Sequence, residues 1–407
     1  MSTYLDHAAT TPVRPQVAAT YADLATRVGN PGSTHAHGRH ARRVLEDARE
    51  SVAADLGAHP TEVIFTSGGT EADNIAVKGI WYAATADRPE GTGLCVSAIE
   101  HHAVLDPAQW LAETAGARVH LAPVGDDGVL DLTALAEHLH HDGARTAAIS
   151  VMWANNEVGA LQPLQQVIDL AAQHRIPVHS DAVQAVGRVP VDFAASGLSA
   201  LSVTGHKLGA PAGIGALLAR RELGITPVLH GGGQERGVRS GTVPVAAAAA
   251  LAEAVKLAVE QRTEEAKRLE ELGGQLADAV PVTVPGAQLQ GPPVGGGRLP
   301  GHLMFTVPDT DAEAVLFGLD SAGISAASGA ACQAGVNQPS HVLSAMGHDH
   351  LAARSGIRLT LGHTSTDEDI SALLTALPEV VQRARAAFST RRTSRPTTMA
   401  AGTGGQR

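Results

Sequence analysis

At 407 residues, 44% of them hydrophobic and 17% charged, the chain has a globular composition and is too long for one simple core, which predicts two domains. A formal net charge of −11, with Lys and Arg scattered except in the tail run Arg391-Arg392 to Arg395, argues against direct binding of nucleic acid. The two cysteines, Cys95 and Cys332, cannot build a disulfide framework, and neither a leader-like N-terminus nor a membrane-length apolar run is present, so a soluble, cytoplasmic protein with a free thiol is expected.

Asp6-His7-Ala8-Ala9-Thr10-Thr11-Pro12 is a short entry segment, followed by a helix from Pro15 to about Arg27. Asn30-Pro31-Gly32-Ser33-Thr34-His35 has turn chemistry, and Val44, Leu45, Ala48, Val52 and Leu56 mark the apolar face of a helix from about Gly38 to Leu56. From residue 62 strands and helices alternate. Strands are expected at Val63–Thr66, Leu94–Ser97, Val119–Leu121, Ala147–Met152, Pro177–Asp181, Ala200–Val203 and Gly213–Ala219. Helices are expected from Ser67-Gly68-Gly69 to about Ala84, from Ala103 to Ala115, from Leu132 to Leu139 and from Pro163 to Gln173. This alternation predicts an α/β fold, a mostly parallel sheet with helices on both faces.

After a glycine-rich loop at 231–237, a long Ala-rich helix from Val243 to about Leu272, with room for a break, connects to a smaller α+β domain. The Pro- and Gly-rich stretch 285–300 is expected to be an exposed loop. A strand His302–Val307, a helix Asp311–Ala322 and a strand Arg358–Leu361 follow, and a Ser/Thr/Arg/Gly-rich tail from about Thr390 is expected to be disordered.

Lys207, in Ser202-Val203-Thr204-Gly205-His206-Lys207, stands just past the end of an apolar strand, where open α/β sheets bind ligands. Desolvated there, a lysine can act as a neutral amine and form a Schiff base, although an exposed surface lysine is the ordinary alternative. Ser67-Gly68-Gly69-Thr70 opens a helix, so its free amides can hold an anion or simply cap the helix. Asp181 ends a buried strand and needs a cation or a capping role; a protonated heteroaromatic nitrogen would suit it, with Gln184 in reach of the same ring. His101 follows the Cys95 strand. The clusters His35-Ala36-His37 and His138-Leu139-His140-His141 read as solvated surface, and no metal site is expected. Cys95 sits among apolar residues as a buried thiol does. Cys332, in Ser328-Gly329-Ala330-Ala331-Cys332-Gln333-Ala334-Gly335, is instead flanked by small residues, as on a mobile loop. Arg358 can clamp a carboxylate bidentately or form an ordinary ion pair.

Taken together, these strings resemble the cysteine desulfurases of the NifS/IscS type, in the class V branch of fold-type I pyridoxal-phosphate enzymes, across roughly residues 3–388. The matching runs are Tyr4-Leu5-Asp6, Ala9-Thr10-Thr11-Pro12, Gly29-Asn30-Pro31, Phe65 to Glu71, Glu100-His101, Asn155-Asn156-Glu157-Val158-Gly159, Asp181 to Gln184, Gly205-His206-Lys207, the loop from Gly231 into Arg239-Ser240-Gly241-Thr242, and Ser328 to Cys332. The stretch from Cys332 to Met346 is similar to the long-loop branch; Ala330, Thr204 and His363 depart from the usual Ser, Ser and Arg.

The resemblance implies pyridoxal 5'-phosphate held by Gly69, Thr70, His101, Asn156, Asp181, Gln184, Thr204, His206 and Lys207, with Thr242 reaching the phosphate of the neighbouring subunit in a homodimer. It implies Lys207, His101 and Cys332 as catalytic groups and Asn30, Asn156 and Arg358 as substrate contacts. L-cysteine would become L-alanine, with a persulfide on Cys332 passed to acceptor proteins such as an iron–sulfur scaffold or a tRNA-thiolating enzyme. It places the large domain at 15–258, the small domain at 1–14 and 259–388, and the tail at 389–407. Another class V enzyme, a selenocysteine lyase or aminotransferase, would share Lys207, Asp181 and His101 without requiring Cys332, and a non-catalytic scaffold would not need Lys207.

Overall fold

The computed structural model describes residues 3–88, 90–329, 332–333 and 336–393. Its centre is a seven-stranded sheet in the order Val63–Thr66, Gly215–Ala219, Ala200–Thr204, Val178–Asp181, Thr146–Ser150, Gly93–Ser97, Arg118–Ala122. Gly215–Ala219 runs antiparallel to both neighbours; the other neighbouring pairs are parallel. The strands from Val63, Thr146, Val178, Ala200 and Gly215 are buried along their whole length, which is why they read as apolar runs rather than alternating ones. One face packs on helices Ala36–Asp55, Leu132–Asp142, Leu164–Ala172 and the first half of the long helix; the other packs on Gly69–Asp87 and His102–Ala115.

A second core lies under a four-stranded antiparallel sheet in the order Ala327–Ser328, Gly356–Thr360, His302–Thr306, Gln288–Gln290. The N-terminal strand Thr3–Tyr4 pairs with Ile324–Ser325 beside it, and Leu5 is buried in that core. The helix Val245–Thr283 serves both cores, burying Ala248, Leu251 and Val255 in the first and Leu269, Leu276 and Val280 in the second. A smaller cluster, including Ile99, Met152, Val158, Met304, Val342 and Leu343, joins the ends of the large-sheet strands to the small sheet.

The long helix continues 11 residues past its expected end at Leu272, without a break, through Gly273 and Gly274. Leu276 and Val280 continue the buried stripe, and a Cβ at Gly273 would lie 3.4 Å from the Gly301 backbone, so glycine serves close packing there rather than termination. Pro281 falls in the last turn, where it is exposed.

The stretch 285–300 is not simply an exposed loop. It supplies the edge strand Gln288–Gln290, and Ala287, Gln290, Arg298 and Leu299 are buried. The Arg298 guanidinium donates to the carbonyls of Pro292, Val158, His302 and Gln290, satisfying backbone that the Pro/Gly turns leave unpaired. The last helix, Asp367–Thr393, carries the backbone through the start of the expected tail; residues 394–407 of that tail lie outside the described residues. Among the described residues no helix is long and apolar enough to cross a membrane.

Candidate active site

The carboxyl ends of the parallel strands converge on a cavity of about 340 Å³. The turn after Ala200–Thr204 presents Lys207 and His206, and the strand Val178–Asp181 ends on Asp181, with Gln184 just beyond. The helix Gly69–Asp87 opens against the same space with Gly69 and Thr70, and His101 caps the helix His102–Ala115. Asn156 and Arg358 complete the wall, Arg358 reaching in from the small sheet. Nine of the expected positions, Gly69, Thr70, His101, Asn156, Asp181, Gln184, Thr204, His206 and Lys207, thus meet in one place, and Arg358 joins them.

Burial pulls the Lys207 ammonium down to about 8, with Arg358 pushing the same way and Asp181, Asp73 and Asp6 opposing. Burial raises Asp181, against the pull of Lys207 and of the Val183 amide, which donates to Asp181 Oδ1 over 2.8 Å. Asp73, wholly buried on the helix Gly69–Asp87 and close to Asp181, is raised well above the carboxylate range by burial and by that neighbour. When one of the two ionises it is therefore Asp181, which alone has the amide donor and the stronger hold from lysine. His101 is lowered to about 4 by burial and by Lys207. Its Nδ1 accepts the Ala103 amide at 3.1 Å, so the neutral ring carries its proton on Nε2.

Arg358 donates to the Asn156 carbonyl and to Asp6 Oδ1, both at 2.9 Å, while its Nε is buried without a partner among the described residues. Arg358 is thus ion-paired with Asp6, and it also lines the cavity. Gln184 Nε2 donates to the Ala8 carbonyl at 3.0 Å, and His206 Nδ1 lies 3.2 Å from Thr10 Oγ1, so the N-terminal segment closes the cavity. His363 Nδ1 lies 3.3 Å from Thr11 Oγ1.

Asn30 and Thr242 are not brought to this cavity. Both line a second one of about 390 Å³, beside the Arg49–Glu235 ion pair at 2.7 Å. Asn30 is held in its turn, accepting the Gly32 amide at 2.8 Å.

The backbone of Cys332–Gln333 forms a two-residue ladder with Val336–Asn337. Ala330, Ala331, Ala334 and Gly335, on which the expectation of a mobile cysteine loop rests, lie outside the described residues. The segment's two ends are placed. Ala327 pairs with Arg358, and Ser340 donates to Glu157 Oε2 at 2.5 Å. A Cβ at Gly329 would clash with that same oxygen, so a larger residue there would have to displace the carboxylate from Ser340. Burial raises Glu157 to about 7, opposed by Ser340 and Arg358.

Sequence reasoning assigned no role to Asp6, Asp73 or Glu157. Asp6 and Glu157 lie in strings that carried the resemblance, which was the signal available; Asp73 had none, because its burial beside Asp181 is a tertiary fact.

Pyridoxal 5'-phosphate, the cofactor the resemblance implies, fits these residues. Thr204 Oγ1 and Asn156 Oδ1 are buried without hydrogen-bond partners among the described residues, beside the amine and the carboxylate that a pyridine aldehyde needs. The helix start at Gly69-Thr70 supplies amides for a phosphate.

Comparison with known proteins agrees with this geometry. The family model described as aminotransferase class-V matches residues 3–373. The chain is 49% identical to the IscS-like cysteine desulfurase of Mycobacterium tuberculosis, over 94% of this chain and 97% of that protein. It is 39% identical to cysteine desulfurase IscS of Dictyoglomus turgidum, over 94% and 95%. Among solved structures it superposes on a NifS-like protein with a TM-score of 0.86 and 33% identity, over 94% of this chain and all of that one.

Proposed function

The chain belongs to the class-V aminotransferase family, among the cysteine desulfurases of the IscS/NifS type, and we propose that it converts L-cysteine to L-alanine with a persulfide formed on Cys332. The observation that carries this reading is Lys207, lowered to about 8 at the end of a central strand, sharing one cavity with Asp181, His101 and Arg358.

Bound pyridoxal phosphate supplies an electron sink that makes Cα deprotonation and cleavage of the Cβ–sulfur bond accessible. Lys207 would hold the cofactor and is the amine placed to carry a proton at Nζ. Asp181, as the anion of its buried pair, would hold a protonated pyridine nitrogen, with Gln184 beside it for the ring hydroxyl. His101 would lie against the ring with its Nε2 proton to offer. Gly69, Thr70, Thr204 and His206 would hold the phosphate. Arg358 receives the substrate carboxylate with its unpartnered Nε, and Asn156 fixes the substrate beside it.

The Cys332 thiolate then attacks the substrate sulfur. An S–S bond forms as the C–S bond breaks, the carbon gains a proton, and alanine leaves; no outside oxidant is needed. A second copy of the chain brings Thr242 to the phosphate, a role consistent with its position away from its own chain's cavity, where it lines a separate one with Asn30. Residues 15–258 form the large domain, and residues 1–14 and 259–388 the small domain that carries the cysteine; the two cores support this division. The persulfide passes to acceptor proteins for iron–sulfur cluster assembly or tRNA thiolation, in the cytoplasm, where a free thiol persists.

The test is alanine and sulfide production from L-cysteine, with mass-spectrometric detection of a persulfide on Cys332. Cys332→Ala should keep the cofactor's absorbance and lose turnover by at least two orders of magnitude. Undiminished turnover in that variant would sink the persulfide mechanism.

A further inference from the structure

Away from the active-site cavity, three potential metal ligands meet on one face of the large sheet. Cys95 and His120 are paired neighbours on the parallel strands Gly93–Ser97 and Arg118–Ala122, so their side chains leave the sheet on the same side. The helix Leu132–Asp142 covers that face and brings down His138. Cys95 Sγ and one ring nitrogen from each histidine all lie within 4.8 Å of one another. The two imidazoles are stacked, with centroids 3.7 Å apart and planes within 3°.

Two further facts point to a ligand rather than to plain packing. His120 Nε2 is buried with no hydrogen-bond partner among the described residues, which is unfavourable for a histidine that serves packing alone. A cavity of about 120 Å³ also opens beside the cluster, lined by both histidines and by Asp142. None of its lining residues lines the Lys207 cavity.

We propose that Cys95, His120 and His138 form a binding site for a borderline divalent cation of the Zn²⁺ class, with the fourth position open to the adjoining cavity. One thiolate and two imidazoles suit zinc in a tetrahedral site, and hard cations such as Mg²⁺ are poor matches for this set. Asp142, 3.7 Å from Arg145, is the one carboxylate lining the cavity among the described residues, beside Arg118 and Arg145, and can hold a water in the fourth position. On binding, the metal–sulfur bond replaces the S–H bond and the proton leaves to solvent. The rings need only turn out of their stack, because both histidines are partly exposed toward the cavity.

The experiment uses the cofactor-loaded protein with Cys332→Ser, which leaves Cys95 as the only thiol. Equilibrium dialysis against Zn²⁺ with metal analysis gives stoichiometry and affinity, and X-ray absorption at the zinc edge gives the ligands. The expected result is one tight zinc per chain with one sulfur at about 2.3 Å and nitrogen neighbours at about 2.0 Å. Adding Cys95→Ser should remove the sulfur shell, and adding His138→Gln should weaken binding at least tenfold while the cofactor absorbance shows an intact fold. In an otherwise wild-type chain, His138→Gln should leave alanine production unchanged. Absence of tight zinc binding, a site with nitrogen ligands only, or unaltered binding in His138→Gln would each overturn the proposal.

Discussion

The protonation of Lys207 makes the sharpest test of the active-site electrostatics. Moving its ammonium from 10.5 to about 8 favours the neutral amine by about 3 kcal/mol, so at pH 7 roughly 300 times more of it is available as a nucleophile than from an exposed lysine. The rate at which apoprotein takes up pyridoxal phosphate, followed by stopped-flow absorbance, should rise about tenfold from pH 6 to pH 7 and level off above about pH 8. Neighbouring charges set the plateau. Arg358 holds the lysine down, so Arg358→Gln should move the plateau up by about one pH unit; Asp181 holds it up, so Asp181→Asn should move it down by a similar amount. Titration of the free cofactor is common to all three proteins and cancels in the comparison. A rate that climbs steadily through pH 10 in the wild type, or plateaus that shift in the same direction in both variants, would refute the reasoning.

Three other outcomes are expected. Arg358→Gln should raise KM for L-cysteine by roughly 10- to 100-fold, the loss of a charge-assisted contact worth about 1.5–3 kcal/mol, with cofactor absorbance retained; a KM within twofold of wild type would remove Arg358 from substrate binding. Glu157 is raised to about 7 in the fold from an ordinary 4.5, so the folded state keeps its proton while the unfolded state loses it across that window, and stability from this group falls as pH rises. Glu157→Gln, which cannot ionise, should therefore gain on the wild type by up to about 1.4 kcal/mol per pH unit between pH 5 and 7 in urea titrations, with no further gain above about pH 7. Arg298→Met leaves four backbone carbonyls without their donor and should lower unfolding stability by about 3 kcal/mol or more; a loss under about 1 kcal/mol would show that water replaces the guanidinium.

Much of the fold was legible because this sheet is buried on both faces. Strands such as Val63–Thr66 and Ala200–Thr204 are short apolar runs between turn residues, and the helices between them repeat their apolar positions at helical spacing. The same local signals failed where partners are remote. The stretch 285–300 has the local composition of an exposed loop, yet Arg298 organises it by gathering carbonyls from residues as distant as Val158. The long helix was expected to end at about Leu272, and only the approach of Gly301 shows Gly273 to be a packing position inside it. The histidines at 120 and 138 gave no reason to be joined to Cys95, because strand pairing and helix docking bring them together.

What the sequence determined by itself was the chemistry on offer. A lysine after a buried strand, a carboxylate ending its neighbour, and a cysteine among small residues are local facts, and the order of such strings along the chain identifies the family. What the tertiary structure alone decided is how those groups are tuned. Desolvation at the converging strand ends lowers Lys207, the buried partner Asp73 leaves Asp181 as the anion, and Asp6 arrives from the N-terminus to hold Arg358. It also separated Asn30 and Thr242 from the cavity of their own chain. The reason is physical: residue type sets which protons and electron pairs exist, while their free energies depend on burial and neighbours that only the folded chain supplies.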